Sequence, residues 1–182
     1  TLADTAPDIA LALNKSLNEA GLSQLPLESV KEMIGNGIPV LVRRALCHVQ
    51  APQDLAANVI TSMLAYSRQY YCEKSSLMHG VKDCLEGLKQ RGIPMSICTN
   101  KDEIVAQMVV SALGLSSYFN AIVGSRPDLV KKPDPLMLQI AAGAISSPIE
   151  TTMMIGDSEV DAAAGIAARS VSVLSLIHIS EP

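Results

Sequence analysis

The apolar positions of this chain fall into two regimes. In the first they recur at helical spacing: Ile9, Leu13 and Leu17 follow one another at i+4, and Gly21 ends the run. Thr5, with Asp8 three residues on, reads as a relative of the capping box at the start of that helix. A second helix is predicted over 28–34, closed by Gly35. Leu41, Val42, Ala45, Leu46 and Val49 mark a third, and Leu55, Val59, Met63, Tyr66 and Tyr70 a fourth. No strand-like run interrupts them, so residues 6–76 are predicted to form a small helical bundle.

The second regime alternates. Val81, Cys84, Leu85 and Leu88 form a helical stripe closed by Gly92, and 94–98 reads as a short buried strand. Ile104, Val105, Met108, Val109, Ala112 and Leu113 predict a helix ending at Gly114, followed by a strand over 121–123. Leu136, Met137, Ile140 and Ala144 line a helix, 152–155 is a strand, and an Ala-rich helix covers 159–168. Residues 170–173 open one more strand. Strand–helix alternation of this kind predicts an α/β fold with a parallel, doubly wound sheet.

Composition narrows the classes. The chain has 182 residues, enough for one domain or a domain with a modest insert, and 48% of them are apolar, enough to build a core. Lys and Arg total 14 against 18 Asp and Glu, a formal charge of −4 that argues against nucleic acid as a partner. No apolar run approaches the roughly 20 residues of a membrane span. With one Phe, four Tyr and no Trp, aromatic platforms for single strands are not expected. Cys47, Cys72, Cys84 and Cys98 form no Cys-x-x-Cys pair, so neither a zinc site nor a redox motif is expected. Reduced thiols and no secretory signal fit a cytoplasmic protein. His48 and His79 stand singly and read as surface or packing residues.

Ligands of an open parallel sheet bind beyond the carboxyl ends of its strands. After Ile97-Cys98 come Thr99, Asn100 and Lys101; after Met154-Ile155 come Gly156, Asp157, Ser158 and then Asp161; Lys131-Lys132-Pro133-Asp134-Pro135 lies between. A hydroxyl, a lysine and two carboxylates are thereby brought to one edge, a set suited to phosphoryl chemistry. Thr99 and nearby backbone N–H groups can hold phosphate oxygens, a lysine can neutralise phosphate charge, and two carboxylates can hold Mg²⁺. Each piece alone has a plainer reading: Thr-Asn and Asp-Ser are helix caps, and Lys-Pro-x-Pro is a rigid turn. Their joint occurrence, in order, favours the chemistry.

These motifs carry a resemblance. The chain is similar to the haloacid dehalogenase superfamily, and within it to the phosphoglycolate phosphatase-like branch. The matching pieces are 1–8, Gly35-Asn36-Gly37 with Arg43-Arg44-Ala45-Leu46, Cys98-Thr99-Asn100-Lys101, Lys132-Pro133-Asp134-Pro135, and Ile155-Gly156-Asp157-Ser158 with Asp161. The resemblance implies a Rossmannoid parallel-sheet core over 77–173 with an inserted α-helical cap over 6–76. It implies that Thr99 binds phosphate, that Lys132 (with Lys131 as the alternative) is the family's lysine, that Asp157 is a Mg²⁺ ligand, and that Asp161 supports the metal directly or through water. Asn100 would join the substrate contacts. So would the cap loop Gly35-Asn36-Gly37, with Arg44 nearby, although a plain helix–helix turn fits that loop equally well.

The family's nucleophile and its general acid/base are the two aspartates of Asp-x-Asp-Gly-Thr. Residues 1–5 read as the remnant of that motif, starting at its Thr, and no other segment carries the aspartates. The chain is therefore expected to be a clipped piece of an enzyme, inactive as printed, with a central strand of the family's sheet lacking. Residues 174–182 are similar to a translated sequencing-library adapter and are expected to be a non-native tail, leaving His178 without function.

The expectation is a Mg²⁺-dependent phosphatase acting on a small phosphorylated metabolite, 2-phosphoglycolate first. A pyrophosphatase or a phosphosugar phosphatase or mutase of the same superfamily is the nearest alternative, because the shared motifs serve the shared phosphoryl step. A non-catalytic phosphate- or partner-binding protein is the alternative of another class. A response-regulator-like domain would suit the alternation but gives the helical first half no role. Oligomeric state is not encoded in any of these features.

Overall fold

The computed structural model of the protein describes residues 1–175. The chain divides into two units, one formed by Ala3–Ser76 and the other by Thr1–Leu2 with the residues from Leu77 onward.

The first unit is helical: α1 (Ala6–Glu19), α2 (Leu27–Met33), α3 (Ile38–His48) and α4 (Ala56–Gln69). Its core joins Leu13 and Leu17 of α1, Val30 of α2, Val42 and Leu46 of α3, and Val59 and Met63 of α4, all buried. Each such side chain contributes about 1.5–3 kcal/mol over leaving it in water. The buried face of α1 is offset from the simple i+4 row, with Ile9 packed at its margin and Ala10 and Ala12 inside it. Ser16 lies on the buried face too, its hydroxyl donating to Ala12 O at 2.8 Å. The helix ends where Gly21 takes a φ of +72°, which lets Leu22 N–H close back on Leu17 O.

The start of α1 departs from the expected capping box. Thr5 occupies the N-cap without a side-chain bond: its ψ of 1° departs from the extended backbone a capping residue adopts. Asp4 Oδ1 accepts the Ala6 N–H instead. Asp8, buried, turns to the far end of the unit, where its carboxylate accepts from the backbone N–H groups of Lys74 and Ser75 and from the Ser75 hydroxyl. Two short strands that sequence periodicity does not reveal, β1 (Ala3–Asp4) and β2 (Ser76–Leu77), pair with each other.

The second unit alternates: α5 (Val81–Gln90), β3 (Ser96–Asp102), α6 (Glu103–Ala112), β4 (Ala121–Ser125), α7 (Leu136–Ala144), β5 (Met153–Gly156), α8 (Glu159–Ala168) and β6 (Val171–Leu174). Strands β3 and β4 pair in parallel, Ile97 opposite Ile122 and Cys98 opposite Val123; β5 and β6 pair in parallel, Met154 opposite Ser172. The mixed α/β class holds, but the single continuous sheet does not: among the described residues the strands form separate two-stranded ladders. No described strand takes up the ladder hydrogen bonds on the outer edges of the β3–β4 and β5–β6 pairs, so neither pair is extended.

Helices cover the β3–β4 pair on both faces. Leu85 of α5 and Val110 of α6 pack with Ile97 and Ile122, and Met137 and Ala141 of α7 pack with Cys98 and Val123. The β5–β6 pair is covered on its Met154 face, by Leu138 and Ala168. Met153, Ile155, Val171 and Val173, on the opposite face, are exposed. Leu174, expected to begin the non-native tail, closes β6, and Ser175 N–H donates to Gly156 O at 2.7 Å. The rest of that tail, His178 included, lies outside the described residues.

Truncating Asp8 leaves the Lys74 and Ser75 amides without their acceptor. Asp8→Ala is expected to cost the helical unit about 2 kcal/mol in urea unfolding and to speed hydrogen exchange at those two amides.

Candidate active site

Strand β3 is straight only as far as Cys98. Its register with β4 is regular from Ser96 to Cys98, breaks, and resumes with Asp102 opposite Ser125. The sequence places Thr99, Asn100 and Lys101 after the strand; the structure places them within its span, in the irregular stretch. Such bulges re-aim side chains at a sheet's functional end. The Lys101 N–H folds back onto Thr99 Oγ1 at 3.2 Å. The cap of α6 is supplied by Asp102, which accepts from Val105 N–H, so Thr99 and Asn100 are not used as caps.

Asn100 reaches the loop before α7. Its Nδ2 donates to Lys132 O at 3.0 Å, and its Oδ1 accepts the Lys132 N–H at 2.9 Å. The Lys132 ammonium then returns to β3 and donates to Cys98 O at 2.7 Å and to Asp161 Oδ1 at 2.6 Å. Lysine and aspartate are both buried, their side chains 6% and 10% exposed. Lys132, not Lys131, is therefore the lysine in the cluster; Lys131 serves the turn through its carbonyl, which accepts Asp134 N–H.

Asp161 also closes the loop after β5. Its Oδ2 accepts from the Asp157 and Ser158 N–H groups and from Ser158 Oγ, while Ser158 Oγ accepts the Asp161 N–H, a complete capping box on α8. The plain reading of this segment as a cap and the chemical reading coexist. Gly156 is required by the same packing: a Cβ there would run into the Asp161 side chain. Burial pushes the Asp161 carboxyl up, but Lys132, the Ser158 hydroxyl and the Asp157 N–H outweigh it and hold the group below the usual carboxylate range.

Asp157 stands differently. Its side chain is 39% exposed, and its Oδ1 meets the Thr1 hydroxyl at 2.6 Å and the Thr1 amino group at 3.3 Å. Burial pushes its carboxyl up, but the Thr1 hydroxyl, the amino group and its own backbone N–H outweigh it and hold the group below the usual carboxylate range. Both Asp161 oxygens are committed to protein donors, in the loop and at Lys132, whereas the partly exposed Asp157 side chain meets Thr1 through Oδ1. Among the described residues no group of three or more His, Cys, Asp and Glu side chains is gathered as a metal cluster.

Thr99, Asn100, Lys132, Asp157 and Asp161 thus belong to one unit, while Gly35, Asn36, Gly37 and Arg44 belong to the other. There, Gly35 and Gly37 take φ of +133° and +83° between α2 and α3, a bend that side chains with a Cβ resist. Arg44 donates to Met33 O at 3.0 Å and so ties α3 to the end of α2 beneath that bend. Glu103 is a supporting residue that the sequence does not single out. It accepts Gly124 N–H and pairs with Arg126, fixing the start of the loop that leads to Lys132. Its only signal is an acidic residue in the first turn of a helix.

The sequence pattern of haloacid dehalogenase-like hydrolases matches residues 1–174. The chain belongs to that family. It is 34% identical over 178 residues to the phosphoglycolate phosphatase of Colwellia psychrerythraea, covering 95% of this chain and 79% of that protein. It is 35% identical over 176 residues to the phosphoglycolate phosphatase of Neisseria meningitidis, covering 95% and 75%. In structure it is similar to a protein described as a predicted phosphoglycolate phosphatase from Haemophilus somnus, with a TM-score of 0.87 and 28% identity, covering 96% of this chain and 80% of that one. No helix among the described residues is long and apolar enough to cross a membrane.

Lys132→Ala strands the Asp161 carboxylate in a buried place and is expected to cost about 3 kcal/mol in urea unfolding at pH 7. Because the folded-state value of Asp161 is depressed, the pair's contribution is complete above the unfolded aspartate value of about 4 and fades as pH falls through the lower folded value. The gap between wild type and variant should narrow over that acid window; a constant gap would mean that the pair is not its source.

Proposed function

We propose that this chain carries the phosphate- and metal-handling half of a Mg²⁺-dependent phosphomonoester hydrolase whose substrate is a small phosphorylated metabolite, 2-phosphoglycolate first. The observation that carries the reading is the Lys132 ammonium, held between Cys98 O and Asp161 and tied through Asn100 to the strand segment that bears Thr99. In this reading Thr99 and its neighbouring N–H groups hold the phosphate, and Lys132 spreads positive charge toward it. Asp157 holds Mg²⁺, which prefers one or two carboxylates and otherwise water and phosphate oxygens. The ion would supply charge neutralisation on the phosphoryl oxygens.

Asp161 acts as the support for the loop of Asp157 and for Lys132, not as a direct ligand. The helical unit takes the place of the family's cap in chain order, with Gly35, Asn36, Gly37 and Arg44 as its substrate-side loop. The phosphoglycolate phosphatases of Colwellia and Neisseria supply the choice of substrate.

The reaction also needs a carboxylate nucleophile to form an aspartyl-phosphate. The sequence contains no Asp-x-Asp-Gly-Thr segment, so the polypeptide 1–182 is expected to release no phosphate from 2-phosphoglycolate. A protein in which Asp-x-Asp-Gly precedes Thr1 should release it, with Mg²⁺ and not with EDTA. A preference for pyrophosphate or a phosphosugar would move the assignment to those activities, and phosphate binding without turnover would make the protein a binder. In the active protein Asp157→Ala should lower Mg²⁺-dependent turnover by about two orders of magnitude or more with an unchanged circular dichroism spectrum. Full activity in that variant would remove Asp157 from the site.

A further inference from the structure

We infer that Asn100 is a positioning residue that sets the place of Lys132 relative to Thr99, and not a substrate contact. The inference rests on the phosphatase reading of this site. Three consecutive residues of β3 divide the work. Cys98 offers its carbonyl to the Lys132 ammonium, Asn100 offers its amide to both backbone groups of Lys132, and Thr99 stands between them. The lysine is thus fixed at its tip and at its root by residues on either side of the hydroxyl.

The root needs fixing for a physical reason. Lys132 lies in the loop between β4 and α7, whose own bonds are local turns: Leu129 N–H to Arg126 O, and Asp134 N–H to Lys131 O. A lysine stem has four rotatable bonds, and holding its ammonium in one place costs side-chain entropy on each. Asn100 removes the backbone's share of that freedom with two hydrogen bonds of 2.9–3.0 Å, across 32 residues of sequence. Asn is suited to this, having an acceptor and a donor side by side that match a peptide N–H and C=O of one residue. The amide oxygen and one amide hydrogen are thereby already engaged. A ligand that took either of these bonds from Lys132 would loosen the link that places the lysine.

Two measurements on the 182-residue chain test this, and they fail separately. The first does not involve phosphate. Acylation of lysines by an N-hydroxysuccinimide ester is followed peptide by peptide by mass spectrometry. In Asn100→Ala, Lys132 should react about tenfold faster than in wild type, with Lys82 and Lys89 unchanged. Asn100→Asp, which keeps the acceptor for Lys132 N–H and loses the donor to Lys132 O, should fall between. An unchanged Lys132 rate overturns the inference. If Asn100→Ala fails to fold, every lysine accelerates, and the Asn100→Asp rate decides in the same way.

The second measurement is calorimetric titration with inorganic phosphate in the presence of Mg²⁺. Asn100→Ala should weaken binding about tenfold alongside the faster Lys132 acylation. Weaker phosphate binding with Lys132 still protected would make Asn100 a direct phosphate contact and overturn the inference. A faster Lys132 with unchanged phosphate affinity would also overturn it, since placing the lysine would then not matter to the ligand. Absence of phosphate binding in wild type would sink the phosphatase reading instead, while the acylation result would still say whether Asn100 holds the lysine.

Discussion

A lysine and an aspartate, both buried and 2.6 Å apart, sit where two separate pieces of the α/β unit meet. Removing such charges from water is costly, and the cost is met only when every remaining polar atom finds a partner. Here they do. The ammonium adds a carbonyl of β3, and the second carboxylate oxygen collects two backbone N–H groups and a hydroxyl from the loop after β5. The pair consequently joins β3, the loop before α7 and the start of α8. The β3–β4 and β5–β6 ladders share no hydrogen bond. This polar node relates them, together with α7, which packs Met137 and Ala141 against β3–β4 and Leu138 against Met154 of β5.

The division of labour between the two aspartates follows from that node. Asp161 is saturated by donors and holds its neighbours in place. Asp157, four residues earlier, has its backbone N–H captured by Asp161 while its own side chain remains partly exposed. One carboxylate is spent on structure so that the other is presented in a fixed direction. Gly156 completes the arrangement by leaving room for Asp161 against the strand.

Local features were the legible ones. Helix positions follow from helical recurrences of apolar residues, and Asp157-Ser158 is legible as the cap of α8, though not its partnership with Asp161. Thr99, Lys132, Asp157 and Asp161 stand out in the sequence because each lies close to a strand end or a helix start. What escaped were partnerships across long sequence separations. Asn100 and Lys132 are 32 residues apart, and Asp8 and Ser75 are 67 apart; no periodicity links either pair. Thr5 and Asp8 do not form the cap their spacing suggests: the Thr5 backbone is not extended, and the Asp8 carboxylate is taken by Lys74 and Ser75. Thr99, Asn100 and Lys101 look like loop residues in the sequence, yet an irregularity in register keeps them within the span of β3. Continuity of the sheet was a global inference from alternation alone, and alternation fixes strand direction, not which edges meet.

The Asp8 carboxylate has a wider meaning. It lies near the start of the helical unit and grips the backbone near its end, so about seventy residues leave and return at almost one point. A segment whose two ends are clamped to each other can be lengthened, shortened or replaced without altering the strands that flank it. Descent with such an insert separates two histories. The residues around Lys132 are free to stay fixed while the length of the helical unit changes.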